Sequence, residues 1–252
     1  MIWTVATGIM LPFIGTAIGS SAVFFMKKNS RADFTDCLAG FAAGVMLAAS
    51  VWSLIIPALE RSEQLGRLSF IPACVGFAAG IIFMIFSERI VDKLSFIGSD
   101  SDIKKSLITA FAVTVHNIPE GLAVGMVYAA LLTEGAAESL AGALSLSIGI
   151  AVQNIPEGAI VSMPVFTENT GKMKAFICGV LSGIVEPLAA VVAIFCVSFF
   201  TPLMAYFLSF AAGAMIFVVM DELSEQMREK RGRGILFFMP GFVIMMAMDV
   251  AL

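Results

Sequence analysis

Eight long apolar segments, separated by short polar connections, leave this chain few options other than a membrane fold. Charged residues make up only 13% of the chain, against about 25% in soluble domains. About 20 helical residues cross a hydrocarbon core of about 30 Å, so every segment is long enough to span it. The segments lie near residues 2–26, 34–60, 69–91, 106–132, 138–163, 173–198, 202–224 and 234–252.

The apolar segments have the composition of helices. Inside lipid, only helices and closed barrels satisfy the polar groups of the backbone. Barrel strands alternate strictly between apolar and polar residues, whereas Gly, Ala, Phe and Met run continuously in this chain. The sequence therefore predicts an all-α integral membrane protein with a single transmembrane domain over residues 1–252. No basic region precedes the first segment, so we interpret that segment as a retained span rather than a signal peptide.

Basic residues are concentrated in alternate connections and at the adjoining segment ends. The two exceptions, Arg61 and Arg67, lie in the second connection. The positive-inside rule places connections rich in Lys and Arg in the cytoplasm. We therefore expect both termini to lie outside a multi-pass protein of the cell (inner) membrane. The first, third, fifth and seventh connections carry 13 of the 15 basic residues: Lys27, Lys28, Arg31, Arg89, Lys93, Lys104, Lys105, Lys172, Lys174, Arg228, Lys230, Arg231 and Arg233.

Two internal similarities indicate a repeat. HNIPEG at 116–121 returns as QNIPEG at 153–158, one span and one connection later, so we expect the two copies to face each other. GFAAGVM at 40–46 resembles SFAAGAM at 209–215. Together they predict a 3+2+3 arrangement, in which two inverted three-span repeats flank a central pair and the site lies at the midplane. Because FAAG also occurs at 77–80, the alternative is a small-residue surface for helix packing.

The duplicated motif carries a set of polar residues at membrane depth. The only histidine, His116, lies four residues before Glu120, and Gln153 and Glu157 repeat this spacing, so each pair shares one helix face. Glu186 adds a further carboxylate in the sixth segment. Ionisable residues inside a membrane are costly and indicate function. Clustered carboxylates repel each other in a low dielectric, and a divalent cation offsets that repulsion.

The chemistry of these side chains predicts which metals bind. Asn117 and Asn154 add amide oxygens, and Pro119 and Pro156 interrupt the helical hydrogen bonding beside the ligands. Imidazole, carboxylate and amide donors suit Zn, Cd, Fe(II), Mn or Co better than Cu(I) or Ca. The alternative for each residue alone is a buried polar group bonded to a neighbouring helix.

Three functions fit such a site. A carrier moves the metal across the bilayer, a membrane-embedded metalloenzyme uses it for catalysis, and a proton or cation channel needs no saturable metal site. Zinc proteases use HExxH, which needs a second histidine that the chain lacks. The sequence contains no GxxxxGK phosphate-binding loop, so nothing in it indicates ATP as an energy source. No cofactor and no nucleic-acid partner are expected.

The motifs resemble those of one transporter family. HNIPEG, QNIPEG one span later, GIVEPLAA around Glu186 and GFAAGVMLAASVWSLIIPALE upstream are similar to the ZIP family of divalent metal transporters. The similarity is greatest to the prokaryotic branch that includes the GufA-like proteins. This resemblance covers essentially the whole chain, and the paired NIPEG motif is its most specific part.

The resemblance implies a two-metal site and transport toward the cytoplasm. His116, Glu120, Gln153 and Glu157 would form the first site, whereas Asn117, Asn154 and Glu186 would form the second, with Glu120 and Glu157 bridging. A methionine of the second span, Met46, is a further candidate ligand of the first site. The family also implies a homodimer in the lipid bilayer and zinc as the commonest substrate. Many relatives have histidine in place of Gln153, and the residue at Asn154 varies among them.

Other polar residues have two interpretations each. Asp221 and Glu222 either relay an ion toward the cytoplasm or form ordinary interfacial pairs with Arg228 or Lys230. Glu60 and Glu63 either mark an outer entrance or lie at the membrane surface. The four cysteines show no CxxC spacing and are interpreted as packing residues: Cys37, Cys74, Cys178 and Cys196.

Overall fold

The chain folds into helices that match the predicted spans. A computed structural model describes residues 2–25, 35–96, 102–134, 140–167, 171–200, 203–224 and 233–251. Each helical segment overlaps a predicted apolar segment, so the all-α integral membrane class is confirmed. We call these helical segments spans 1 to 8, in chain order. Within the described residues, eight are long and apolar enough to cross a membrane: Ile2–Phe24, Asp36–Glu60, Phe70–Lys93, Ala110–Leu132, Leu140–Phe166, Lys172–Cys196, Met204–Asp221 and Arg233–Ala251.

Five spans are built on one α-helix each, the first of them extended by a 3₁₀ helix Ser21–Phe24, and three are composite. The helices of spans 4 and 5 continue through Pro119 and Pro156, so the missing proline donors do not break them. The single helices are Ile2–Ser20, Phe70–Phe96, Asp102–Glu134, Leu140–Thr167 and Arg233–Ala251. Span 2 consists of Thr35–Ala49, a π-helical segment Ser50–Ile55 and Ile56–Glu60. Span 6 consists of Lys172–Gly183 and Val185–Phe200, and span 7 of Met204–Val218 followed by a π-helical segment Val219–Leu223.

The spans pack as two groups of four. Span 1 packs most extensively against span 5, and span 4 against span 6. In the other group, span 2 packs against span 8, and span 3 against span 7. The groups meet mainly where span 2 contacts span 5 and where span 4 contacts span 7. The central pair therefore shares a group with spans 1 and 6, so the grouping in space differs from the 3+2+3 order along the chain.

The FAAG motifs form two equivalent interfaces. A Cβ on any of four glycines would collide with a carbonyl oxygen of the facing helix: Gly44 with Phe238, Gly241 with Phe41, Gly213 with Phe77 and Gly80 with Phe210. Span 2 thus contacts span 8 as span 7 contacts span 3. Both π-helical segments also begin nine residues after the Phe of the motif, at Ser50 and Val219. These matches support the internal repeat, and they show that the motif is also a packing surface.

An ion pair joins two helix ends on the predicted cytoplasmic side. Asp36, which is buried at the start of span 2, lies 3.3 Å from the Nε of Arg233 at the start of span 8. The aspartate also lies in the first helical turn, where the helix dipole favours a negative charge. Other bases used to orient the chain lie outside the described residues, so the orientation stays a prediction: Lys27, Lys28, Arg31, Arg228, Lys230 and Arg231.

Candidate metal site between spans 1, 4, 5 and 6

The two NIPEG motifs contact each other, as predicted from their spacing. Gln153 of span 5 donates from its Nε2 to the Oε1 of Glu120 in span 4, at 2.6 Å. Both side chains are fully buried. The duplicated helix faces therefore meet inside the protein rather than pointing at lipid.

Glu186 reaches the same region from span 6 because of a local interruption of that span. Pro187 lacks the N–H that would bond to the carbonyl of Gly183, and the helix restarts at Val185 after a turn at Ile184. Glu186 consequently lies in the first turn of the second helix and is fully buried.

Two donors hold one oxygen of the Glu186 carboxylate. Its Oε1 accepts from Asn117 Nδ2 at 2.9 Å and from Thr16 Oγ1 at 3.1 Å. Glu186 is thereby bonded to span 4 and to span 1. The sequence provided no reason to include Thr16 in the site, because a single threonine in an apolar span is ordinary.

Backbone carbonyls fix the orientation of both asparagine amides. Asn117 Nδ2 lies 3.3 Å from the carbonyl oxygen of Ser182, and Asn154 Nδ2 lies 3.3 Å from that of Pro12. A carbonyl oxygen only accepts hydrogen bonds, so the amide nitrogen of each side chain must face it. The amide oxygens of Asn117 and Asn154 therefore point elsewhere.

The predicted ligand residues carry buried oxygens that lack hydrogen-bond donors. Of seven such atoms among the described residues, two belong to Asp36, which pairs with Arg233. Buried acceptors are costly when unsatisfied, and a cation satisfies several at once. We call the remaining five the buried oxygen cluster: Asn117 Oδ1, Glu120 Oε2, Gln153 Oε1, Asn154 Oδ1 and Glu186 Oε2.

The carboxylates of the site are close enough to repel one another. Glu120 interacts electrostatically with Glu157 and Glu186, and Glu186 also interacts with Glu157. In the part of the chain that the structure describes, no three His, Cys, Asp or Glu side chains form a metal-holding set by themselves. Gln153 hydrogen-bonds to Glu120 and Asn117 to Glu186, so a cation at this place would use carboxylate and amide oxygens together.

Two further predicted ligands, His116 and Met46, are also buried. His116 is 7% exposed and lies one helical turn before Glu120 in span 4. Met46 is buried in the main apolar core, and the neighbouring Ser50 hydroxyl donates to its backbone carbonyl. The ligand roles of both residues stay predictions.

A cavity of about 270 Å³ lies beside the cluster, on the side predicted to face outside. Its lining includes Val127, seven residues after Glu120, and Leu146, seven residues before Gln153. Seven helical residues correspond to about 10 Å along each span. The cavity is lined by both groups of spans.

Asp249 lines this cavity, and sequence reasoning missed it. Ser53 Oγ lies 2.8 Å from each carboxylate oxygen of Asp249, and Ser145 Oγ lies 3.0 Å from Oδ1. An acidic residue inside the last apolar segment was the available signal. Glu60 and Arg61 also line the cavity, and a role of Glu60 at an outer entrance stays a prediction.

The remaining polar predictions are not brought into the site. Glu63 is exposed in the segment between spans 2 and 3, and Asp221 is exposed at the end of span 7. The side chain of Glu222 and the residues Arg228 and Lys230 are outside what the structure describes. The four cysteines are free. Cys74 and Cys196 are exposed on helix surfaces, Cys37 is buried and Cys178 is partly buried.

Comparison with known proteins gives one consistent family. The family model described as ZIP zinc transporter matches residues 98–249, which is more than half of the chain. Zinc transporter ZIP11 of Xenopus tropicalis is 33% identical over 97% of this chain and 96% of its own length. The Homo sapiens protein of the same name is 33% identical over 94% of both. Zinc transporter ZupT of Chlorobaculum parvum is 31% identical over 85% of this chain and 84% of its own length.

Proposed function

The chain belongs to the ZIP zinc transporter family, and from this premise we propose that it carries zinc toward the cytoplasm through the buried oxygen cluster. It is a multi-pass membrane protein that transports divalent metal ions. Because its relatives are named as transporters, it is a transport protein rather than an enzyme.

The observation that carries the proposed site is the set of five buried oxygens without donors. They belong to residues on three helical segments that the duplicated motifs and the break in span 6 bring together. Zinc accepts imidazole nitrogen and carboxylate or amide oxygen, so His116 and this cluster suit it. Cadmium and Fe(II) fit the same donors and are further candidate substrates.

We assign the donors to two neighbouring positions. His116, Glu120, Gln153 and Glu157 form the first, and Asn117, Asn154 and Glu186 form the second, with Glu120 and Glu157 bridging. In Glu120 and Glu186, protein donors hold one oxygen while the other has none. Dividing the ion between two positions permits selective binding without preventing release.

The path begins at the cavity that contains Asp249. Its carboxylate and that of Glu60 attract a cation from outside, and the buried oxygen cluster lies about two helical turns deeper. Release into the cytoplasm past Asp221 and Glu222, and a homodimeric assembly, stay predictions.

Uptake into proteoliposomes tests the proposal. We expect saturable zinc uptake by the wild type. In His116→Ala and Glu157→Ala, zinc uptake should fall by about 10–100-fold or more, because substitutions of residues that merely support a metal ligand already have effects of that size. Glu63→Ala, which removes an exposed acid outside the cavity, is the matched control and should keep wild-type uptake.

The result separates the proposal from its rivals. Saturable uptake that both site substitutions abolish supports the carrier and its ligands. Uptake that rises with zinc concentration without saturating, and that is unchanged in His116→Ala, indicates a channel. Full saturable uptake in both substituted proteins contradicts the proposed site.

A further inference from the structure

Span 1 contacts the candidate metal site although it carries no ionisable side chain between Ile2 and Ser20. Thr16 is 1% exposed, and its Oγ1 lies 3.1 Å from Glu186 Oε1. The same hydroxyl lies 3.3 Å from the carbonyl oxygen of Pro12 in its own helix. A hydroxyl has one proton to donate, and a carboxylate is the stronger acceptor, so the contact with Glu186 is the important one.

The internal repeat gives Thr16 a defined position. The glycine that ends each motif faces a different span at close range: a Cβ on Gly121 would collide with the carbonyl oxygen of Glu186, and a Cβ on Gly158 with that of Thr16. Gly121 and Gly158 are equivalent residues of HNIPEG and QNIPEG. Thr16 therefore occupies in span 1 the place that Glu186 occupies in span 6, and these two equivalent residues hydrogen-bond to each other.

Span 1 makes a second contact with the same ligand set. The carbonyl oxygen of Pro12 accepts from Asn154 Nδ2, one helical turn from Thr16. This contact turns the amide oxygen of Asn154 away from span 1, and that oxygen has no donor among the described residues. One face of span 1 thus orients both Asn154 and Glu186.

We propose that Thr16 is a positioning residue for the second metal position, supported by the Pro12 carbonyl. With Asn117, its hydroxyl holds Oε1 of Glu186 and leaves Oε2 for the cation. Hydrogen-bond partners that orient a metal ligand raise affinity by fixing its rotamer before the ion arrives. This inference rests on the proposed function, in which Glu186 is a ligand.

Packing around Thr16 makes a clean substitution possible. A Cβ on Gly183 would lie 2.8 Å from Thr16 Cβ, so the side chain fills its space tightly. Valine has nearly the same shape and lacks the hydroxyl, whereas serine keeps the hydroxyl and loses one methyl group. Ser20 is a matched control, because it is buried on the same helix and, among the described residues, its hydroxyl hydrogen-bonds to the backbone carbonyls of Thr16 and Gly158 rather than to a proposed ligand.

Zinc titration of the detergent-purified full chain measures the effect. For Thr16→Val we expect about 10-fold weaker binding of the second zinc equivalent, with the first equivalent unchanged. Thr16→Ser should restore wild-type binding, and Ser20→Ala should bind both equivalents as the wild type does. Glu186→Gln is the reference, because it removes the charge of the ligand itself.

Each outcome decides between a positioning role and a packing role. Wild-type titration of Thr16→Val beside weakened Glu186→Gln overturns the inference and leaves the proposed function intact. Unchanged binding in Glu186→Gln contradicts the second metal position and the inference with it. Equal weakening of both equivalents in Thr16→Val and Ser20→Ala, without rescue by serine, indicates lost packing and also overturns the inference.

Discussion

Gln153 illustrates how one side chain serves the candidate site in two ways. Its Nε2 donates to Glu120, and its Oε1 belongs to the buried oxygen cluster. The amide nitrogen holds one carboxylate oxygen of Glu120, and the amide oxygen offers an uncharged ligand atom to the cation. A carboxylate in place of this amide would add negative charge to a candidate site that already contains Glu120, Glu157 and Glu186.

Removing this amide should weaken the first metal position. For Gln153→Leu, which keeps most of the side-chain volume and loses both polar atoms, we expect about 10–100-fold weaker zinc binding. Zinc titration and the Michaelis constant for uptake measure it. Gln64→Leu, at an exposed position between spans 2 and 3, is the control. Equal affinity in both substituted proteins would remove Gln153 from the ligand set.

Among individual residues, the sequence predicted the ionisable groups that are costly to bury in a membrane and missed the side chains that hydrogen-bond to them. His116, Glu120 and Glu186 could be found because ionisable groups are rare inside apolar spans. Thr16 could not, since a threonine bonded within its own helix is common in such segments. Its role depends on which helix lies opposite, and that is a property of the packing.

Among the helices, close backbone approach is what places the site residues. Gly158 brings span 5 against the carbonyl of Thr16, and Gly121 brings span 4 against that of Glu186. Without a hydrophobic driving force between helices in lipid, such small-residue contacts supply much of the packing. The same two glycines therefore bring the helices together and set the positions of the candidate ligand residues that those helices carry.

A methyl group at Gly158 should separate spans 1 and 5. We expect Gly158→Ala to destabilise the protein by about 1–3 kcal/mol, because the added Cβ overpacks the interface. Gly171→Ala is the control: a Cβ there meets nothing within 4 Å, so the change should stay within about 0.5 kcal/mol. Thermal unfolding in detergent compares the two, and similar melting temperatures would contradict the packing argument.

Element boundaries followed from hydropathy, whereas the irregular turns did not. All eight predicted segments correspond to helices within a few residues, since lipid imposes length and composition directly. The π-helical segments at Ser50 and Val219 have no sequence pattern of their own. They appear symmetric only when the repeat is aligned on the FAAG motifs.

For the whole molecule, the division into two groups of spans was not predictable from the order of the segments. Glycine and alanine faces occur on most spans, so the sequence does not specify which faces pair. The structure pairs span 1 with span 5 and span 4 with span 6, which places the candidate metal site inside one group. The outer cavity, in contrast, is lined by both groups.

Ser53 and Ser145 connect the two groups across that cavity. Ser53 belongs to span 2 and Ser145 to span 5, yet both hydroxyls donate to Oδ1 of Asp249. In a carrier that works by alternating access, the outer cavity closes while an inner path opens. A shift of one group against the other would change the distance between Ser53 and Ser145, because they lie on opposite sides.

A covalent link between these positions should therefore stop transport. In a background whose four cysteines are replaced by alanine, Ser53→Cys with Ser145→Cys is treated from outside with a short, membrane-impermeant bifunctional thiol reagent that contains a disulfide. Cross-linking should reduce zinc uptake by about 10-fold or more, because the tether removes one of two alternating states, and reduction should restore it. Each single-cysteine protein, treated identically, controls for blockage of the cavity. Full uptake by the verified cross-linked protein would show that the two groups need not move at this point.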